Sequence, residues 1–160
     1  MKKNWYLLLI IAAVTALDRI TKSWVVAALA GKIVTVCPWL SFCYVKNTGA
    51  AFGMLYGNNL FFIMLTAVLI FLLLFYRKAF GRGILVNISL SLIVTGAVNN
   101  FFDRLAYGHV VDFISFSFFP PVFNIADSAI TAGACVLALT MLLKDRSNIK
   151  NRRNKTGGNV

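Results

Sequence analysis

Apolar residues gather along this chain in four long blocks with short polar breaks between them. Residues 5–28 form the first block, interrupted by Asp18, Arg19 and Lys22. Residues 60–76, LFFIMLTAVLIFLLLFY, form the second and cleanest; residues 84–102 and 122–143 form the third and fourth. Each is close to the roughly 20 residues that carry a helix across a bilayer. A backbone in lipid must satisfy its own hydrogen bonds, so each block predicts a membrane-spanning helix. Between the first two blocks, residues 33–45, IVTVCPWLSFCYV, are rich in β-branched and aromatic residues with some alternation, and predict short surface strands. NTGAAFG and YGNN beside them are turn-like.

Composition agrees with lipid as the solvent. The 160 residues fit one domain; 59% are hydrophobic, 13% are charged, and the mean hydropathy is +0.79. Soluble domains carry about 25% charged residues. The net charge of +11 would suggest nucleic acid in a soluble protein, but here the basic residues cluster. Lys2 and Lys3 precede the first block, and Arg77, Lys78 and Arg82 lie between the second and third. Lys144, Arg146, Lys150, Arg152, Arg153 and Lys155 follow the fourth. With four spans these clusters share one side, which the positive-inside rule makes cytoplasmic, with both termini there. The N-terminal block loosely resembles a signal peptide, but the apolar run resumes after Lys22 and predicts an uncleaved span. Residues 146–160 read as a basic, disordered cytoplasmic tail.

Candidate chemistry comes from the acids. The chain has five acidic residues, all Asp. On the four-span layout Asp18, Asp103, Asp112 and Asp127 fall in one layer near the outer face; only Asp145 is cytoplasmic. Intramembrane carboxylates are costly and tend to have partners or functions. Asp18 and Lys22 are spaced i, i+4 as an ion pair, which favours a structural role. Gly96, Asn100, Asp103 and Arg104 share one helical face, as do Asn124, Asp127 and Thr131. Ala126, Ala129, Ala132, Gly133 and Ala134 allow close helix contact. One His and three Cys without C-x-x-C spacing make no zinc pattern. Cys37 and Cys43 are near enough in sequence for a disulfide to be considered, and Cys135 reads as a packing residue. No P-loop, dinucleotide fingerprint, G-x-S-x-G or H-E-x-x-H occurs. What remains is paired-carboxylate chemistry, one Asp holding a proton while the other acts as base. Two rival readings stay open: a small proton-coupled transporter or channel using intramembrane Asp residues, and a structural protein with buried polar contacts. Physics alone does not select two of the four outer acids.

Five motifs in order, DRITK (18–22), NTGAAFG (47–53), GAVNNFFDR (96–104), GHVVDF (108–113) and FNIADSAI (123–130), resemble the lipoprotein signal peptidase (type II signal peptidase) family over residues 5–145. The resemblance implies an all-α membrane protein. It would be a four-helix bundle over residues 1–145 with a small extracytoplasmic β platform at about 33–56. It implies an intramembrane aspartic endopeptidase of the bacterial cytoplasmic membrane. Such an enzyme removes the signal peptide from prolipoproteins before a diacylglyceryl-modified cysteine. The catalytic pair would be Asp112 and Asp127. Asn47, Asn100, Arg104 and Asn124 would hold substrate and orient the pair. Asp18, Lys22 and Gly96 would be structural, with Asp103 the reserve for Asp112. Expected partners are diacylglyceryl prolipoproteins and membrane lipids, without nucleic acid, cofactor or metal, for a monomer whose site faces outward. One departure is Asn99, where the family often has Gly; its bulk bears on helix packing.

Overall fold

The computed structural model describes residues 4–49 and 58–156, apart from the side chains of 147–156. Helix α1 spans Trp5–Ala28, α2 Asn59–Phe75, α3 Ile84–Tyr107 and α4 Ile125–Thr156. Among the described residues, three helical stretches are long and apolar enough to cross a membrane: Asn59–Phe80, Ile84–Tyr107 and Ile125–Arg146. Helix α1 has the length, at 24 residues, but Asp18, Arg19 and Lys22 interrupt its apolar run. Helix α3 is central and packs against α1, α2 and α4.

Two antiparallel hairpins form one four-stranded sheet in the order β1 (Ile33–Cys37), β2 (Leu40–Asn47), β3 (Val110–Phe116) and β4 (Phe119–Phe123). The first hairpin matches the sequence expectation; the second corrects it. Asp112, expected in a loop, lies in β3 opposite Val45 of β2. Residues 122 and 123, expected to open the fourth span, belong to β4. Pro120 and Pro121 fit there because β4 is an edge strand, where a missing N–H breaks no ladder. The platform therefore draws on residues 110–123 as well as 33–47; residues 50–56 of the expected region lie outside the described residues.

Other expectations change too. Helix α3 continues past 102 to Tyr107 and ends at Gly108, whose φ of 73° suits a left-handed cap; its N–H donates to the Arg104 carbonyl at 3.1 Å. Residues 146–156, expected to be disordered, continue α4 as helix; no Gly or Pro interrupts the chain until Gly157. Cys37 and Cys43 are free thiols, and Cys135 is exposed rather than packed inside. Thr131, Ala132 and Ala134 are also exposed. The buried stripe of α4 runs instead through Ala126, Ala129, Gly133 and Leu137.

The interior reverses the pattern of a soluble domain. Large apolar side chains cover the outside, and α2 buries none of its residues. Inside, among the described residues, buried polar side chains are as numerous as buried hydrophobic ones. A hydrophobic cluster of Val25, Leu29 and Phe113 fixes the end of α1 to the sheet, and Val86, Leu90 and Leu137 join α3 to α4. The α3–α4 approach is close at two levels. A Cβ on Gly96 would run into the Ala126 carbonyl and come 2.8 Å from Ile130 Cγ1. A Cβ on Gly133 would lie 2.7 Å from the Ser89 carbonyl oxygen and 2.8 Å from Ile93 Cγ1.

A buried ionic cluster joins α1 to α3. Lys22 Nζ lies 2.8 Å from Asp18 Oδ2 and 2.7 Å from Asp103 Oδ2, and Arg19 Nη1 lies 2.5 Å from Asp103 Oδ1. Arg19 also donates to the Asn99 carbonyl at 3.1 Å, and Thr15 donates to the Asn99 side chain at 3.3 Å. The departure at Asn99 thus faces α1 and is bridged to it. Asp18, fully buried, accepts the Ala126 N–H of α4 at 3.0 Å. Two predictions follow from this packing. Asp18→Ala leaves the buried Ala126 N–H without a partner and leaves Lys22 and Arg19 with Asp103 as their one shared carboxylate; losing one partner of a buried charge cluster costs on the order of 3 kcal/mol, read as a lower melting temperature in detergent. Gly133→Val forces α3 and α4 apart away from the carboxylates; we expect a loss of about 1–3 kcal/mol from overpacking, read as lower resistance to thermal aggregation.

Candidate active site

Local chemistry at the start of α4 brings two of the acids, Asp112 and Asp127, together. Asn124 caps the helix: its Oδ1 accepts the Asp127 N–H at 2.8 Å, and the Asn124 N–H donates to Asp127 Oδ2 at 3.2 Å. This reciprocal capping box satisfies helix donors that would otherwise be orphaned in a buried place. The Asn124 side chain then has its NH2 free to donate to Asp112 Oδ1 at 2.6 Å. One fully buried residue therefore holds both carboxylates.

Each carboxylate has a second amide donor. Asn47, the last residue of β2, donates from Nδ2 to Asp112 Oδ2 at 2.7 Å, while its Oδ1 accepts the Gly49 N–H at 3.0 Å. Asn100 of α3 donates from Nδ2 to Asp127 Oδ1 at 2.7 Å. Burial pushes the Asp112 carboxyl up to about 7; the neighbouring Asp127 charge adds to the rise, and the Asn47 and Asn124 hydrogen bonds oppose it.

Both carboxylates line a cavity of about 400 Å³, with Asn47, Asn100 and Arg104 at the same polar end. Apart from Thr66, the rest of the wall is apolar and comes largely from α2 and α3, including Leu69, Ile70, Leu73 and Val94. Arg104 sits with its guanidinium 5.4 Å from the centre of the Phe62 ring and 3.4 Å from the Gly49 carbonyl oxygen. Such a pocket offers an extended apolar ligand a place to lie with a polar bond beside two carboxyl groups.

The structure thus brings together Asn47, Asn100, Arg104, Asp112, Asn124 and Asp127. It sets Asp18, Lys22 and Asp103 apart in the ionic cluster; Asp103 is occupied by Lys22 and Arg19 and does not line the cavity. Gly96 serves the α3–α4 contact. Thr131 is not at the site. Of NTGAAFG, only residues 47–49 fall within the described residues. Sequence reasoning missed Asn59, which donates to the Arg104 carbonyl at 3.0 Å, and Phe62 beneath the same side chain. It also missed the capping box, although its signal was present in Asn124 and Asp127 three residues apart before an apolar run.

Comparison with known proteins agrees on one family. A family model described as Signal peptidase (SPase) II matches residues 10–143. The lipoprotein signal peptidase of Caldanaerobacter subterraneus subsp. tengcongensis is 41% identical over 139 residues, covering 86% of this chain and 96% of that one. The lipoprotein signal peptidase of Staphylococcus aureus is 37% identical over 164 residues, covering 97% and 100%. A bacterial membrane enzyme solved by the in meso method at 2.3 Å resolution superposes with a TM-score of 0.78 at 36% identity, covering 89% of this chain and 90% of that one. With motifs, fold and most of its length in agreement, the chain belongs to the signal peptidase II family and is a protease.

Proposed function

We propose that the protein is an intramembrane aspartic endopeptidase that removes signal peptides from prolipoproteins, cutting before a diacylglyceryl-modified cysteine. The observation that carries the reading is Asn124 holding Asp112 and Asp127 together at the polar end of one largely apolar cavity. Peptidase family membership favours hydrolysis over the proton-coupled transporter reading.

In the proposed reaction the pair shares one proton. The ionised carboxylate takes a proton from water as the oxygen attacks the scissile carbonyl, and the protonated one donates to the carbonyl oxygen. When the tetrahedral intermediate collapses, the protonated carboxyl gives its proton to the leaving amine while the ionised one takes a proton from a gem-diol hydroxyl as the carbonyl re-forms, so the pair again holds one proton. The two carboxyls titrate as a unit, so neither has a permanent role. Asn47, Asn100 and Asn124 keep the acceptor oxygens oriented, and Arg104 offers a cation to the substrate backbone.

Membrane placement follows the same logic. Four spans, including α1, put the basic residues Arg77, Lys78, Arg82, Lys144 and Arg146 at the cytoplasmic end and the sheet with the carboxylates at the outer end. Both termini lie in the cytoplasm. A lipid-anchored substrate reaches the site from within the bilayer, and its mature part remains outside.

The decisive assay is cleavage of a purified lipidated prolipoprotein. Asp112→Asn and Asp127→Asn should each lower turnover by at least about a thousandfold while melting near the parent temperature; efficient cleavage by either removes the pair from consideration. pH supplies a second test. Asp112 is raised from 3.8 to about 7, so activity should fall as pH rises through about 7 and the shared proton is lost. The same shift sets the sign for stability. Between these values the folded protein keeps a proton the unfolded chain has released, so this group's contribution is greatest below about pH 4 and declines until about pH 7. A turnover profile still climbing well above pH 8 would contradict the assignment.

A further inference from the structure

The ionic cluster and the carboxylate pair meet at one atom. Asn100 Oδ1 accepts from Lys22 Nζ at 3.0 Å and from Asn124 Nδ2 at 3.3 Å. Its Nδ2 donates to Asp127 Oδ1 at 2.7 Å. An amide placed the other way round would aim its NH2 at an ammonium and a second NH2, and would turn its oxygen toward a carboxylate. Neighbouring groups therefore decide the orientation. The other two amides are fixed differently, each by a backbone N–H: Asn47 by Gly49 and Asn124 by Asp127. Only Asn100 depends on a charged side chain from another helix. Lys22 is 5% exposed and spends its three N–H bonds on Asp18, Asp103 and Asn100. Two of these are carboxylates, as a structural ion pair requires; the third contact leads to the site.

We propose that Lys22 is a positioning residue for the reaction, holding the Asn100 amide so that it can only donate to Asp127. This rests on the reading of Asp112 and Asp127 as the catalytic pair. The charged groups facing this region are Asp18, Arg19 and Lys22 from α1, Asp103 and Arg104 from α3, and the pair itself from β3 and α4. Lys22 acts on the pair in two separable ways, by its charge and by where its N–H groups point. Arginine keeps the first and loses the second, because a planar fork does not reproduce three bonds from one nitrogen.

The test uses the full chain in lipid nanodiscs with a lipidated prolipoprotein, comparing Lys22→Arg, Lys22→Met, Asn100→Leu and the Lys22→Met/Asn100→Leu double variant. Lys22→Arg should lower kcat by about tenfold with KM within about twofold and the alkaline limb of the pH profile unmoved. Lys22→Met should lower kcat at least as far and move that limb upward, since a cation that favours the ionised pair is gone. In the Asn100→Leu background Lys22→Met should reduce kcat no further, although both variants lower the melting temperature. A Lys22→Arg enzyme with the parent kcat, or kcat losses that add in the double variant, would leave Lys22 a structural residue. If Lys22→Met does not fold, the Lys22→Arg result decides. Asp112→Asn in the same assay separates the two levels. Cleavage by that variant sinks the pair whatever Lys22 does, whereas an inactive Asp112→Asn beside a fully active Lys22→Arg sinks only the positioning role.

Discussion

The sheet end of this molecule depends on the capping interaction of Asn124. A helix that begins at a membrane surface, against other protein, must find partners for its first N–H groups without water. Here the Asp127 N–H goes to Asn124 and the Ala126 N–H goes to Asp18. Both partners are fully buried. Because the cap residue still has an amide NH2 to donate, completing the helix also fixes Asp112 in the neighbouring strand. Structure and site therefore share bonds here. A residue that would be an ordinary cap in a soluble protein sets the relation between a strand and a helix that carry one carboxylate each.

Charge balance explains why the remaining acids lie nearby yet are chemically separate. Asp18 and Asp103 are matched by the buried Lys22 and by Arg19, which reaches in from the half-exposed face of α1, so the cluster has as many cations as anions. Asp112 and Asp127 are hydrogen-bonded by neutral amides instead. Ion pairing silences a carboxylate as a base, whereas amide donors orient it and leave it able to exchange protons. The division between four similar residues therefore reflects their partners rather than their depth.

That division was not legible in the sequence. The helical blocks were, because lipid demands long uninterrupted apolar runs, and α1 begins and ends at the residues the pattern indicates. Convergence of four acids on one layer was also readable from spacing and topology. Choosing among them was not, since it depends on which acid meets Lys22 or Arg19 across helices; the motif resemblance supplied the choice. The second hairpin was hidden for another reason. FISFSFFPPVF is aromatic throughout and contains two prolines, so its alternation is blurred, and only knowledge that β4 lies at an edge makes the prolines acceptable. The helical continuation past 146 was masked by its polarity, which resembles a solvated tail.

Helix α2 buries none of its 17 residues, yet its side chains form much of the apolar wall beside the carboxylates. With the 3-10 turn that continues it to Phe80 the stretch has 22 residues, and at about 1.5 Å per residue it rises about 33 Å, close to a typical hydrocarbon core of about 30 Å. Its fit to the surrounding bilayer therefore bears on where this wall sits, together with its packing against α3. A cavity walled by a helix that the protein does not enclose is thereby open to the membrane as well as to the protein.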